Sequence, residues 1–277
     1  MLFRSCQNTF CTPGFELHVP GAPADSRRLC EFIYRNLARI TGIVLTLDTH
    51  QALQIFHAAY LADAEGDHPP PFTLVSAEDV ELGTWHTVSP QAERHLLHYT
   101  RALEAGGKYR LTVWPYHAML GGIGHALVSA VEEAVFFWSI ARRTRADFRL
   151  KGANPLTEHY SALGPEVTTG PGGEEIGRRD EELVKALRGF DAVVVAGQAK
   201  SHCVAWTIDD LLADFRDAAH SVYILDDCTS PVVVPGIVDY TDEADAAFRR
   251  FAEAGVNVVS SAEPMATWPG LAAVATA

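Results

Sequence analysis

A cysteine follows a buried apolar run in Val193-Val194-Val195-Ala196-Gly197-Gln198-Ala199-Lys200-Ser201-His202-Cys203-Val204, where a strand, a short turn and the first residues of a helix are expected in succession. A thiol at a helix amino terminus faces unpaired N–H groups and the positive end of the helix dipole, which favour thiolate and can hold an oxyanion. Cys203 is therefore a candidate nucleophile, although position alone fits equally well a small buried residue at a strand-to-helix junction. A second cluster, Leu47-Asp48-Thr49-His50, ends another apolar run. In extended backbone the side chains at i and i+2 point the same way, so Asp48 and His50 converge, and a carboxylate with an imidazole suits a divalent metal such as Zn, Mn or Fe. Trp114-Pro115-Tyr116-His117 brings a further imidazole just past a predicted strand.

These residues need a frame that gathers them, and the hydropathy pattern predicts one. Apolar runs of β type alternate with helical patterns, which points to an α/β fold: three layers, with a mostly parallel central sheet between helices. Helices are expected over Ser26–Ile40, Ala126–Ala141, Asp180–Leu187, Val204–Ala219 and Glu243–Ala254. Strands are expected over Ile43–Leu47, Tyr109–Val113, Ala192–Val195, Val222–Leu225 and Val256–Val259. The carboxyl ends of parallel strands converge on one rim, and Cys203, Asp48, His50 and His117 all fall at such ends. Two stretches, about 68–107 and 157–177, break the alternation and read as insertions in one domain covering 1–277.

Composition limits the partners. The 277 residues carry 22 Lys and Arg against 35 Asp and Glu, a formal charge of −13, which repels nucleic acid and acidic lipid. No apolar run approaches the ~20 residues of a membrane span. The amino terminus lacks a secretory apolar stretch, so a cytoplasmic protein is expected. Five cysteines, an odd and sparse set, argue against a disulfide framework. Gly121-Gly122-Ile123-Gly124 lacks the Lys-Ser or Lys-Thr of a phosphate loop and reads as a turn. Asp226 and Asp227 read as turn or capping residues. His125, His159 and His202 read as satisfied polar residues, His202 pointing away from its neighbour Cys203.

Taken together, Cys6-Gln7-Asn8-Thr9-Phe10-Cys11, Asp48-Thr49-His50, Trp114-Pro115-Tyr116-His117, Lys151-Gly152-Ala153 and Gly197 to Val204 resemble, in order, the nicotinamidase branch of the isochorismatase-like cysteine hydrolases. The resemblance implies hydrolysis of a small amide, nicotinamide foremost, through a thioester on Cys203. It implies that Lys151 is the lysine of the triad and that Asp48, His50 and His117 hold the metal, which in nicotinamidases binds the pyridine nitrogen. His57 is either a further ligand or a helical non-ligand. Phe10 and Trp114 match aromatic residues that sandwich the ring, though each also suits a core. The N–H groups of Ala199 and Cys203 match the oxyanion hole, and the Gln198–Ala199 peptide matches one that is cis in the family. Members of the family commonly assemble, so a homo-oligomer is expected.

One position departs from the pattern. The family's first strand ends in an aspartate, the triad base, and here that residue is Ser5. A hydroxyl has no useful basicity near neutral pH. Either turnover is impaired or the start of the chain differs from that of the native protein. The rival readings are hydrolysis of another small amide or ureido compound, and a nicotinamide-binding protein without turnover.

Overall fold

The computed structural model describes residues 1–89, 92–107 and 109–271. From the first residue to the middle of the chain the elements are β1 (Leu2–Arg4), α1 (Asn8–Cys11), α2 (Ala22–Arg35), β2 (Val44–Asp48), β3 (Leu61–Ala62), β4 (Leu74–Val75), α3 (Ala77–Glu81), β5 (His86–Thr87), α4 (Glu93–Gly106) and β6 (Leu111–Thr112). They continue with α5 (Ser129–Arg142), β7 (Asp147–Lys151), α6 (Glu181–Arg188), β8 (Val193–Gly197), α7 (Ala205–Asp214), β9 (Val222–Leu225), β10 (Val233–Val234), β11 (Val238–Asp239), α8 (Thr241–Glu253) and β12 (Asn257–Val259).

Six strands form the central sheet in the order β12-β9-β8-β1-β2-β7, every pair parallel. The period of two along each strand sorts side chains between two helical layers. Phe3, Leu45, Val194, Ala196, Tyr223 and Leu225 pack with Phe32 and Ile33 of α2 and Trp138 of α5. Leu2, Val44, Val195 and Ile224 pack on the other face with Leu187 of α6, Ile208 of α7 and Phe251 of α8. The expected three-layer α/β/α arrangement is the one observed. No helix among the described residues is long and apolar enough to cross a membrane.

The inserted stretch 68–107 carries α3, α4 and two short strands; residues 90 and 91 lie outside the described residues. With neighbouring segments it builds a third core, in which Ile55, Phe56, Leu96, Tyr99 and Val113 pack beside Phe10, Trp114, Tyr160 and Cys203. The stretch 157–177 contains neither helix nor strand. Three expectations need correction. Tyr109–Val113 is not a strand of the central sheet: only Leu111 and Thr112 are extended, paired antiparallel with β4. Its apolar residues are buried against the insertion, which mimics the run of a sheet strand. The strand missed is β7, DFRLK, an edge strand whose Phe148 and Leu150 are exposed and whose charges interrupt the apolar pattern. Finally, α2 begins four residues earlier than expected, with a proline in its first turn, and ends at Arg35.

Candidate active site

β1, β2, β7 and β8 all end at the same rim, and their last residues or the turns after them supply the site. Gly197 closes β8 with φ +109°, a conformation suited to glycine, and a Cβ there would collide with the Arg4 carbonyl of β1. The cis Gln198–Ala199 peptide follows. The Gln198 side chain is pinned, donating to Asp25 Oδ2 at 2.8 Å and accepting from the Ser230 N–H at 3.3 Å. Lys200 to Val204 then form a π-helical turn, with the Val204 N–H donating to Ala199 O at 3.1 Å, before α7 begins. Such wide turns occur at functional sites.

Lys151, at the end of β7, reaches across the rim. Its Nζ lies 3.7 Å from Cys203 Sγ, donates to His159 O at 2.6 Å and forms a buried ion pair with Asp48. Cys203, Asp48, Lys151 and His117 are each about 95% removed from solvent. Burial pushes the Cys203 thiol up, and Lys151 pulls it back only in part. The resting group is thus a neutral thiol, where the helix-end argument anticipated thiolate. Burial also raises Asp48, but the Lys151 ammonium outweighs it and holds that carboxyl at about 2.

The imidazoles meet on the other side of Asp48. Each ring has Nδ1 against a backbone carbonyl: His50 to Gly152 O at 3.1 Å, His57 to Gln51 O at 3.0 Å and His117 to Pro115 O at 2.7 Å. A carbonyl only accepts, so each Nδ1 carries the proton and each Nε2 keeps its lone pair, the tautomer a metal requires. One donor atom each from Asp48, His50 and His117 lie within 4.8 Å of one another. The His57 ring centroid is 6.0 Å from that of His50 and 6.2 Å from that of His117, and its Nε2 is buried without a partner. Burial lowers all three imidazoles, His57 to about 4, so they are neutral at pH 7. This donor set fits a divalent cation. Gln7 fixes the Asp48 main chain, donating to Asp48 O at 2.8 Å and accepting from the Asp48 N–H at 2.7 Å.

Gly152 gives a test of that cluster. Its φ is +83°, and a Cβ would sit 2.6 Å from His50 Cε1. Gly152→Ala must displace the His50 ring and its carbonyl partner, and a zinc affinity ~10–100-fold weaker is expected. Titration against a competing chelator measures it.

A small cavity opens onto Cys203, lined by Phe10, Leu17, Asp48, Trp114, His117, Glu158, Tyr160, Ala199, His202 and Val232. Phe10 stands edge-on to His117 at 5.6 Å between centroids, and Trp114 Nε1 donates to Tyr160 Oη at 2.6 Å. The residues singled out from the sequence are thus brought together, His57 included. His202 is expected to point away from Cys203, yet it lines the same cavity. Ser5 follows β1 with φ +45°, and its buried Oγ has no hydrogen-bond partner. Asp227 and His125 are satisfied, as expected: Asp227 accepts from Ser260 and Ser261, and His125 meets Thr49 Oγ1. Sequence reasoning missed Arg4, Glu158 and Tyr160. Glu158 and Tyr160 lie in an irregular segment, and no periodicity marks them.

No protein-family model matches the chain, and no curated protein matches it by sequence. Solved structures do. A nicotinamidase/pyrazinamidase of Acinetobacter baumanii superposes with TM-score 0.57 at 20% identity, covering 94% of either chain. The yeast nicotinamidase bound to the inhibitor nicotinaldehyde gives 0.59 at 18%, covering 94% of this chain and 98% of its own. The chain has the nicotinamidase fold. A pyrazinamidase of Pyrococcus horikoshii in complex with zinc shares it, with TM-score 0.53 at 20% identity over 94% of this chain and 97% of its own.

The buried histidines also set a pH dependence. His57, His159 and His202 sit at about 4, about 3 and about 4, in each case through burial first, against 6.5 when unfolded. Below pH 6.5 the unfolded chain binds more protons, so stability falls as pH drops toward 4. Burial raises Glu158 from 4.5 to about 8, which has the opposite slope. Three imidazoles outweigh one carboxyl below 6.5. The melting temperature of metal-free protein should therefore fall steeply as pH drops from 6.5 toward 4.

Proposed function

We propose that this protein is a metal-assisted cysteine amidohydrolase that converts nicotinamide to nicotinate and ammonia. The observation that supports this most is the Lys151 ammonium, 3.7 Å from Cys203 Sγ and paired with a carboxylate that also faces the imidazole cluster. One lysine thereby links a nucleophile to a ligand-ready donor set. Cys203 Sγ attacks the carboxamide carbon, and the N–H groups of Ala199 and Cys203 hold the oxyanion. Ammonia leaves, and water then hydrolyses the thioester. Lys151 holds negative charge at the sulfur. Phe10 and Trp114, on the cavity wall, flank the ring. Asp48, His50 and His117, with His57, would hold Zn, Mn or Fe, which when bound supplies a Lewis-acid contact for the pyridine nitrogen.

Ammonia release from nicotinamide, in zinc or manganese, tests the proposal, with pyrazinamide and small ureido compounds alongside. Turnover of a ureido compound in preference to nicotinamide would move the assignment to another amide of the same chemistry. The unpartnered Ser5 Oγ favours one second reading, a nicotinamide-binding protein without turnover. Tight binding of nicotinamide with no ammonia from any amide would establish it.

A further inference from the structure

The amidohydrolase reading leaves a proton unaccounted for. Cys203 rests as a thiol, the departing nitrogen must be protonated, and Ser5 cannot exchange protons with either. The cavity that opens onto Cys203 contains two carboxyl groups, those of Asp48 and Glu158. Asp48 is committed to the ion pair with Lys151 and to the imidazoles. His202 also lines the cavity, but burial keeps it unprotonated, at about 4.

Glu158 is different. Its side chain is buried to within 4% of complete exclusion, seven residues beyond Lys151 on the segment that crosses the rim. Oε1 accepts from the His159 N–H at 3.0 Å, and the Glu158 N–H donates to the buried Tyr99 hydroxyl at 2.9 Å, so the residue is held at both ends. The neighbouring His159 carbonyl receives the Lys151 ammonium, which ties this backbone to the sulfur's own partner. Glu158 carries no ion pair among the described residues. Burial raises its carboxyl to about 8, close to the pH at which an acid and base are both effective.

We infer that Glu158 is the proton carrier of this site, standing in for the carboxylate that position 5 lacks. In its ionised form the Glu158 carboxyl takes the proton from Cys203 Sγ as the S–C bond to the amide carbon forms and the carbonyl π pair moves to oxygen. When the tetrahedral adduct collapses, the C–N bond breaks and the same proton passes to nitrogen, releasing ammonia. The carboxylate next takes a proton from water as its oxygen attacks the thioester. The S–C bond breaks, and that proton returns to the sulfur. Amide and water are consumed, acid and ammonia are formed, and Glu158 ends as it began.

Position 5 supplies the control. Its backbone, at φ +45°, is one that aspartate adopts more readily than most residues, and the Ser5 Oγ has no partner to lose. The experiment compares ammonia release by wild type, Glu158→Gln, Ser5→Asp and the double variant, with nicotinate affinity measured for each by calorimetry. Glu158→Gln should lower kcat ~100–1000-fold with nicotinate affinity unchanged, and Ser5→Asp should restore at least ~10-fold in the double variant. A purely structural loss would not be rescued from position 5. Glu158→Gln within ~3-fold of wild type, or a loss of kcat that comes with lost nicotinate affinity and no rescue, overturns the inference. Wild type inert while Ser5→Asp turns over also overturns it and leaves the amidohydrolase reading standing. If none of the four releases ammonia, both fall.

Discussion

Replacing Cys203 by alanine should lower ammonia release by more than ~10⁴-fold while leaving the fold and the metal affinity in place. The size follows from the chemistry: without the sulfur no thioester forms, and the rest of the site retains only binding and oxyanion contacts, as in other enzymes that lose their nucleophile. The structural cost is small. Cys203 is buried on a cavity wall, so the lost Sγ leaves a space continuous with an existing one, at ~1 kcal/mol. Circular dichroism and zinc titration should match wild type. Cys203→Ser should be nearly as inactive, because an alcohol in that position needs a stronger base than any carboxyl offers. Activity within tenfold of wild type in Cys203→Ala would dismiss covalent catalysis at this residue, whatever the fold.

Lys151→Met should act on both stability and rate, and zinc should separate the two. Lys151 and Asp48 are 3% and 5% exposed at their side chains, so removing the ammonium strands a carboxylate that water cannot reach. Breaking a buried pair from one side costs ~3–5 kcal/mol. In a chain of this size that lowers the melting temperature by ~10 °C in metal-free protein. Zinc gives Asp48 a new cationic neighbour and should recover much of that loss, whereas ammonia release stays depressed because nothing replaces the charge beside Cys203 Sγ. A melting temperature that falls equally with and without zinc would show that Asp48 is no part of the metal site.

Much of this arrangement was legible because its residues sit where apolar runs stop. Asp48 ends β2 and Cys203 follows β8, strands whose residues are buried along their whole length, so the ends stand out. Lys151 was legible only through the resemblance of Lys151-Gly152-Ala153 to a family motif. Its strand lies at the sheet edge, with Phe148 and Leu150 turned outward between charges, and no apolar run announces it. His117 was placed at the right rim by a wrong route. It comes from a loop bridged to the main frame through His57–Trp114 and His50–Met119, not from the end of a central strand. Glu158 had no signature because its burial depends on tertiary contacts alone: Tyr99 from the insertion holds its N–H, and Lys151 holds the carbonyl of the next residue, His159.

Arg4 has a bearing on how the protein is made. It lies in β1, at the centre of the sheet, and is fully buried, donating to Thr46 Oγ1, to Tyr160 O and to Cys203 O. The last of these partners is 199 residues away. At ~5–20 residues per second a ribosome takes ~10–40 s to cover that distance. Throughout that interval β1 can pair with β2, but its other edge and its guanidinium wait for β8 and the turn behind it. A nascent chain stalled before Cys203 therefore displays an open strand edge in the middle of its future sheet, the kind of surface that chaperones hold and that other strands recruit.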